Sequence, residues 1–383
     1  MISSLLRFLK PLSSLRLTIV CLACCMVLLF VGTLDQVHVG IFEAQNRYFK
    51  SFLLFFTIPG TGFKVPWFPG GYTLGIVLLA NLIAAHAIRF RFSWRKVGII
   101  VLHSGIILLL VGQLVTSVFQ VESQMRLDQG QTSNFSESPY FDELAIIDES
   151  GKDFDQVTSI PTSDLHRGAD LKLPGSDVAV HVNDFYQNAF LINPGQLPSP
   201  NYPHLKLGPM AVAVAAEPTY KQNERNQPAT SVTISANGQS VGSWSLSAAF
   251  PTPIRFQVEG RNYQLVLRPK RYYKPFSVTL EQFRHDRYAG TDIANNFSSK
   301  VRLVDPSGHE NREALIFMNH PLRYSGLTFY QAGFDNNDTT TILQVVKNPS
   351  WLTPYISCAL IVLGLVIQFG MHLTNFIRRR VTA

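Results

Sequence analysis

The chain has 383 residues, of which 46% are hydrophobic and only 15% charged, against about 25% charged in an ordinary soluble domain. Charge this sparse excludes a uniformly soluble globular chain. The formal net charge of +7 does not imply nucleic-acid binding, because Lys and Arg cluster at the ends of apolar runs, where they set topology and meet anionic lipid.

The first apolar run, Leu17 to Leu34, predicts a membrane-spanning helix, since spanning takes about 20 apolar residues with a range of roughly 17–25. Its apolar stretch exceeds the roughly 7–15 residues of a cleavable signal, and no clean small-x-small site follows, so it reads as a retained anchor. Cys21 and Cys24 lie in it at C-x-x-C spacing. A redox pair of that spacing works at a helix N-terminus, where thiolate is stabilised; within an apolar helix the other reading is small apolar filler. His38 follows just outside this run and reads as a solvated surface residue. Ser51 to Phe56 (S-F-L-L-F-F) is too short to span and predicts an interfacial or re-entrant piece.

Tyr72 to Ile88, Val97 to Val121 and Trp351 to Phe376 are the remaining apolar runs. His86 and His372 fall near the ends of the second and fourth, where an imidazole reaches water or headgroups. His103 is different. It sits about 9 Å inside the third run, at about 1.5 Å per residue from Val97, in a stretch without Asp, Glu, Lys or Arg. An ionisable group there costs roughly 2–4 kcal/mol unless it has a partner. Two readings stay open at this point: a ligand for a metal or haem iron, or a hydrogen bond to a neighbouring helix. Gly98, Gly105 and Gly112 recur every seven residues, a stripe that allows close approach of a helix or of a flat ligand.

Orientation follows from the short basic flanks. Arg7, Lys10 and Arg16 precede the first run. Arg89, Arg91, Arg95 and Lys96 join the second to the third, and Arg378 to Arg380 follow the fourth. Four spans put all three clusters on one side, expected to be cytoplasmic. The segment from about Glu122 to Ser350 is then exported. It has no cysteine, so it folds without disulfides, and about 230 residues suffice to bury a core. It reads as β. Alternation appears in Asp177 to Val182, Ser231 to Ser235, Arg255 to Val258 and Gln264 to Leu267, and Asn237-Gly238 predicts a two-residue hairpin turn. Glu259-Gly260-Arg261-Asn262 and Asp305-Pro306-Ser307-Gly308 read as further turns. Asn193 to Pro203 and Lys221 to Pro228 read as loops. Met318 to Asp335, dense in aromatics, reads as a buried strand. The expected fold is therefore an integral membrane protein with four transmembrane helices and a large extracytoplasmic all-β domain inserted between helices three and four. Its parts are 1–121, with helices at about 17–34, 72–88 and 97–119; 122–350; and 351–383, a last helix with a basic tail.

In order along the chain stand L-S-S-L-R-L (Leu12 to Leu17), G-T (Gly32, Thr33), V-L-H-S-G around His103, Y-A-G-T (Tyr288 to Thr291), M-N-H-P-L, and Y-S-G-L-T-F-Y-Q-A-G-F. Together with the order of helices and β segment, they resemble the ResB family of cytochrome c biogenesis proteins, the system II type. The resemblance implies a haem-handling subunit of a cytochrome c synthetase. It implies a multi-pass protein of the cell inner (cytoplasmic) membrane whose large domain faces the periplasm or extracytoplasmic side. The cargo would be haem b, and the partners a CcsA/ResC-type membrane protein with a tryptophan-rich motif, apocytochrome c, and thiol-reducing assembly proteins. By motif position His103 would be an axial ligand of haem iron, the partner supplying the other, with His86 as the alternative ligand. No C-x-x-C-H haem attachment site and no complete catalytic set occur in the sequence. The competing readings are a membrane-tethered exported binding module without haem and a membrane thiol-disulfide oxidoreductase using Cys21 and Cys24. Residues about 148–245 match nothing recognisable in the family.

Overall fold

The computed structural model of the chain describes residues 10–381 apart from 90–92, 153, 200, 220–224, 289, 291–293, 309 and 336–338. The features predicted at Arg7, at Arg91, at Ala289 and Thr291 of Y-A-G-T, and at the start of the Lys221 to Pro228 loop lie outside the described residues. The chain divides into two compact units, Met1–Val121 with Lys347–Ala383, and Glu122–Val346.

The first unit holds helix one (Leu15–Val39), helix two (Gly71–Arg89), helix three (Val97–Phe119) and helix four (Thr353–Val381). All four are long and apolar enough to cross a membrane. Helix one runs five residues past its predicted end at Leu34, so Asp35 and His38 both lie within it. A carboxylate on a spanning helix is costly without a partner. Here Arg47 Nη1 pairs with Asp35 at 3.2 Å and the Tyr48 hydroxyl donates to it at 3.0 Å. That pairing lets the helix continue.

Neighbouring helices run antiparallel, as their contacts show. Thr18 on helix one donates to Asn81 Oδ1 of helix two at 2.7 Å. Tyr72 and Ser117 share a hydrogen bond of 2.8 Å at the start of helix two and the end of helix three. Gly98 lies against Gln368 of helix four, Gly105 against Ser357 and Ile361, and Gly112 against Thr353. This register brings Lys10, Arg16, Arg95, Lys96 and Arg378 to Arg380 to one end of the unit. The glycine stripe seats helix four and not a flat ligand. A Cβ on Gly105 would stand 2.8 Å from Ile361 Cγ1 and 2.9 Å from the Ser357 carbonyl oxygen, so only glycine fits. At the other end, Leu53–Thr57 and Lys64–Pro69 form an antiparallel hairpin. The short apolar piece predicted at Ser51 to Phe56 is thus a strand of that hairpin, with Phe55, Phe56, Phe63 and Trp67 exposed.

The second unit is β-rich. Its largest sheet has ten strands, and the others have four and three. Two long strands, Thr132–Asp148 and Arg261–Arg287, organise it. They pair from Tyr263 opposite Asp148 to Thr279 opposite Thr132, with register shifts between Pro269 and Arg271 and between Tyr273 and Val278. Bulges of this kind bend and twist a strand, so one pair of strands serves two cores. One core gathers Leu144, Ile146, Val180, Val232, Ile234 and Leu265. The other gathers Met125, Leu127, Phe276, Val278, Val301 and Phe329.

The predicted turn at Asn237-Gly238 is present, with φ of 51° and 76° and Ala236 opposite Gln239. Glu259-Gly260, with φ of 50° and 76°, closes a second hairpin of the same form. A third, at Ser325-Gly326, was not anticipated; it splits the aromatic segment into the strands Leu322–Tyr324 and Leu327–Asp335. That segment is not the uniformly buried strand expected. Phe329 is buried, whereas Met318, Tyr330 and Phe334 are exposed.

Candidate functional site

Helix three presents two faces. Successive residues turn by 100°, since 3.6 make one turn, so His103 points about 200° around the axis from Gly105. Gly105 faces helix four. His103 therefore faces away from that contact, and its ring meets His86 of helix two. The ring centroids are 5.0 Å apart and the planes cross at 87°. His86 precedes Arg89 by three residues, about 4.5 Å, and His103 follows Val97 by six, about 9 Å. An antiparallel pair of helices joined by a short connection places these depths side by side.

His86 is thus not a headgroup-level histidine on its own. Its Nδ1 lies 3.0 Å from the Leu82 carbonyl oxygen. A carbonyl only accepts, so in the neutral ring Nδ1 carries the proton and Nε2 is the basic nitrogen. Both imidazoles are half-buried. His372 belongs to the same end of the unit, but its Nε2 sits 2.8 Å from Gln368 Nε2 on its own helix.

Neutral imidazole is a ligand type suited to haem iron, and the donor set here fits such a group in one way. Axial ligands of one iron stand on opposite faces of a macrocycle. Two rings in edge-to-face contact leave no space for a macrocycle between them. The pair offers one imidazole nitrogen to a ligand, with the other ring beside it. Among the described residues, no group of three or more His, Cys, Asp or Glu is placed to hold a metal ion.

The C-x-x-C cysteines lie within helix one. Cys21 is buried, and Cys24 and Cys25 pack on the cluster of Leu28, Ala44, Tyr48, Leu54 and Leu74. None of the four cysteines is joined in a disulfide. A polar residue that sequence reasoning missed is Asn81. It is buried, accepts from Thr18, and donates through Nδ2 to the carbonyls of Leu12 and of Ser14, the latter at 3.0 Å. It was visible as the sole Asn in the second apolar run.

Residues 255–342 match the family model described as the ResB-like family. That segment of the chain is similar to the ResB-like family. The chain is 37% identical over 102 residues to Protein NrfI of Wolinella succinogenes, a match covering 27% of this chain and 11% of that protein. It is 41% identical over 61 residues to cytochrome c biogenesis protein CcsB of a Picosynechococcus species, covering 16% of this chain and 13% of the relative. Against a Synechococcus CcsB it is 39% identical over 101 residues, covering 26% and 22%. The chain thus spans less than a quarter of the length of these relatives. The ResB-like segment begins in the strand Ile254–Val258 and ends in Thr340–Lys347, within the second unit. His86 and His103 lie outside it.

Proposed function

We propose that this chain is the haem-handling subunit of a system II cytochrome c synthetase. In this reading it sits in the inner membrane with its basic helix ends in the cytoplasm. The β-rich unit, inserted between helices three and four, faces the periplasm or its equivalent. Haem b is the cargo, a CcsA/ResC-type membrane protein is the partner, and apocytochrome c receives the haem. The similarity to proteins named for cytochrome c biogenesis supports the role.

The observation that carries the reading is the placement of His103: an imidazole in an uncharged helix, turned away from the helix-packing face and braced by His86. His103 supplies one axial nitrogen to the iron. Because the pair supplies only one, the second comes from the partner. His86 orients the His103 ring and is the alternative ligand.

The test co-expresses His103→Gly with the CcsA-like partner and measures the haem absorption spectrum and the cytochrome c yield. Both should fall while the protein still inserts, and added imidazole should partly restore both by occupying the vacated space. Full activity in His103→Asn would remove this residue from the mechanism.

A further inference from the structure

Away from the histidines, toward the end of the first unit that carries the hairpin, helices one, two and three and the segment from Ile41 to Lys50 line a half-open cavity of about 540 Å³. That lies in the range of small-molecule sites, about 300–1,000 Å³. Its lining changes character with depth. At the helix ends nearest the hairpin, taken as its mouth, stand Gln36, Gln45, Lys50, Tyr72 and Ser117. The floor is Leu29, Leu79 and Leu110. Measured along the axes from Val39, Gly71 and Phe119, these leucines lie about 12–15 Å inside the apolar layer. Gln113 lines the cavity at intermediate depth, about 9 Å in, an amide where a bilayer offers no water.

Of the lining residues only Lys50 is charged; of the two nearby carboxylates, Asp35 beside Gln36 is paired with Arg47 at 3.2 Å, and Glu43 lies beside Ala44. The lining contains neither imidazole nor thiol.

We propose that this cavity binds one membrane phospholipid with an acidic head. The phosphate and head hydroxyls meet Lys50 and the glutamines at the mouth, the ester region meets Gln113, and an acyl chain lies along Leu29, Leu79 and Leu110. The gradient from ammonium and amides to leucines matches the gradient along such a molecule. This site is separate from the histidine pair and does not depend on the haem reading.

Gly75 allows a clean test. It lines the cavity, and a Cβ built on it meets nothing within 4 Å. Gly75→Leu therefore sends a side chain into the cavity while favouring the helix. The full chain in mild detergent is incubated with vesicles of equal dioleoyl phosphatidylglycerol and dioleoyl phosphatidylcholine, then examined by native mass spectrometry. Wild type should retain one phosphatidylglycerol per chain, preferred over phosphatidylcholine about fivefold, or about 1 kcal/mol, as expected for one lysine near an anionic head. Lys50→Ala should abolish the preference, and Gly75→Leu should remove the retained lipid with helix content unchanged. If Gly75→Leu does not fold, the Lys50→Ala preference decides alone. Retention unaffected by either variant would mean lipid bound around the helices only, and overturns the proposal. So does a haem absorption band that Gly75→Leu removes while lipid retention persists.

Discussion

The rings of His86 and His103 meet edge to face, with centroids 5.0 Å apart, across the hairpin of helices two and three. This contact separates the two residues experimentally. Phenylalanine at position 86 keeps a ring against His103 but removes the nitrogens. If His86 braces the ligand, His86→Phe should weaken haem retention about 10–100-fold, the usual effect of losing a partner that orients a ligand. His103→Phe should abolish it. Imidazole should rescue His103→Gly and leave His86→Phe unchanged. Haem absorption of the purified complexes reads all three. Rescue of a His86→Gly variant instead would move the iron to His86.

Helix three and helix four should tolerate no side chain at the centre of their contact. Valine at Gly105 places its Cβ 2.8 Å from Ile361 Cγ1 and 2.9 Å from the Ser357 carbonyl oxygen. Overpacking typically costs 1–3 kcal/mol, and a backbone carbonyl cannot swing aside as a side chain does. Gly105→Val should lower the thermal unfolding temperature in detergent, whereas Gly75→Val, in open space, should leave it nearly unchanged. Equal effects would show that helix propensity and not packing is being measured.

The spans were legible because charge is excluded from hydrocarbon, and the seven-residue glycine spacing marked a face for close approach, by a helix or by a flat ligand. Which helix filled the stripe was not legible, nor was the His86–His103 contact. Periodicity within a helix fixes its faces but not which face its neighbour meets. Asp35 looked like the end of helix one because its partners, Arg47 and Tyr48, lie beyond the helix in the sequence. In the second unit, alternation marked Arg255 to Val258 and Gln264 to Leu267 as short strands. The second is part of a 27-residue strand, continuous through bulges that break the alternation.

Asn81 holds the entry of helix one against helix two through the carbonyls of Leu12 and Ser14. Asn81→Leu keeps the volume and removes the donors. Hydrogen bonds between membrane helices are worth about 0.6 kcal/mol on average and up to about 1.7, and two are lost here together with the bond from Thr18. The expected result is faster hydrogen exchange and protease cleavage near residues 11–14, with the rest of the unit unaffected. Protection equal to wild type would show that apolar packing alone seats this segment.

In the second unit, Arg268 and Glu143 form a buried ion pair of 3.0 Å, their side chains 6% and 1% exposed. Ser159 also donates to Glu143, at 2.5 Å. Removing one partner strands the other charge. Glu143→Ala should therefore cost about 3–5 kcal/mol, whereas replacing both by methionine should be close to neutral. Chemical unfolding of the chain with Trp67, Trp94 and Trp351 replaced by phenylalanine, so that Trp244 alone reports, measures both. A double replacement as damaging as the single one would mean that the ion pair itself stabilises the fold.

Lys274 is buried, and among the described residues no carboxylate is bonded to it. Its Nζ donates to Ser136 Oγ at 2.6 Å and to the Tyr272 carbonyl at 2.9 Å. Burial pushes its pKa down from 10.5 to about 8. The folded state then releases this proton more readily than the unfolded state. Below about pH 8 both states hold it, and the cost of the buried charge is constant. Between about pH 8 and 10.5 the unfolded chain binds more protons, so stability rises with pH, by about 3 kcal/mol across the window. The Tyr272 phenol, pushed up by burial first and by Glu143 second, acts in the opposite direction, but only above about pH 10. Lys274→Met removes the titration and leaves Ser136 bonded to Ser123 at 2.7 Å. The variant should be the more stable protein at neutral pH and should show no rise between about pH 8 and 10. Unfolding midpoints at several pH values in that window measure the slope. A rise that persists in Lys274→Met would assign the proton to another group.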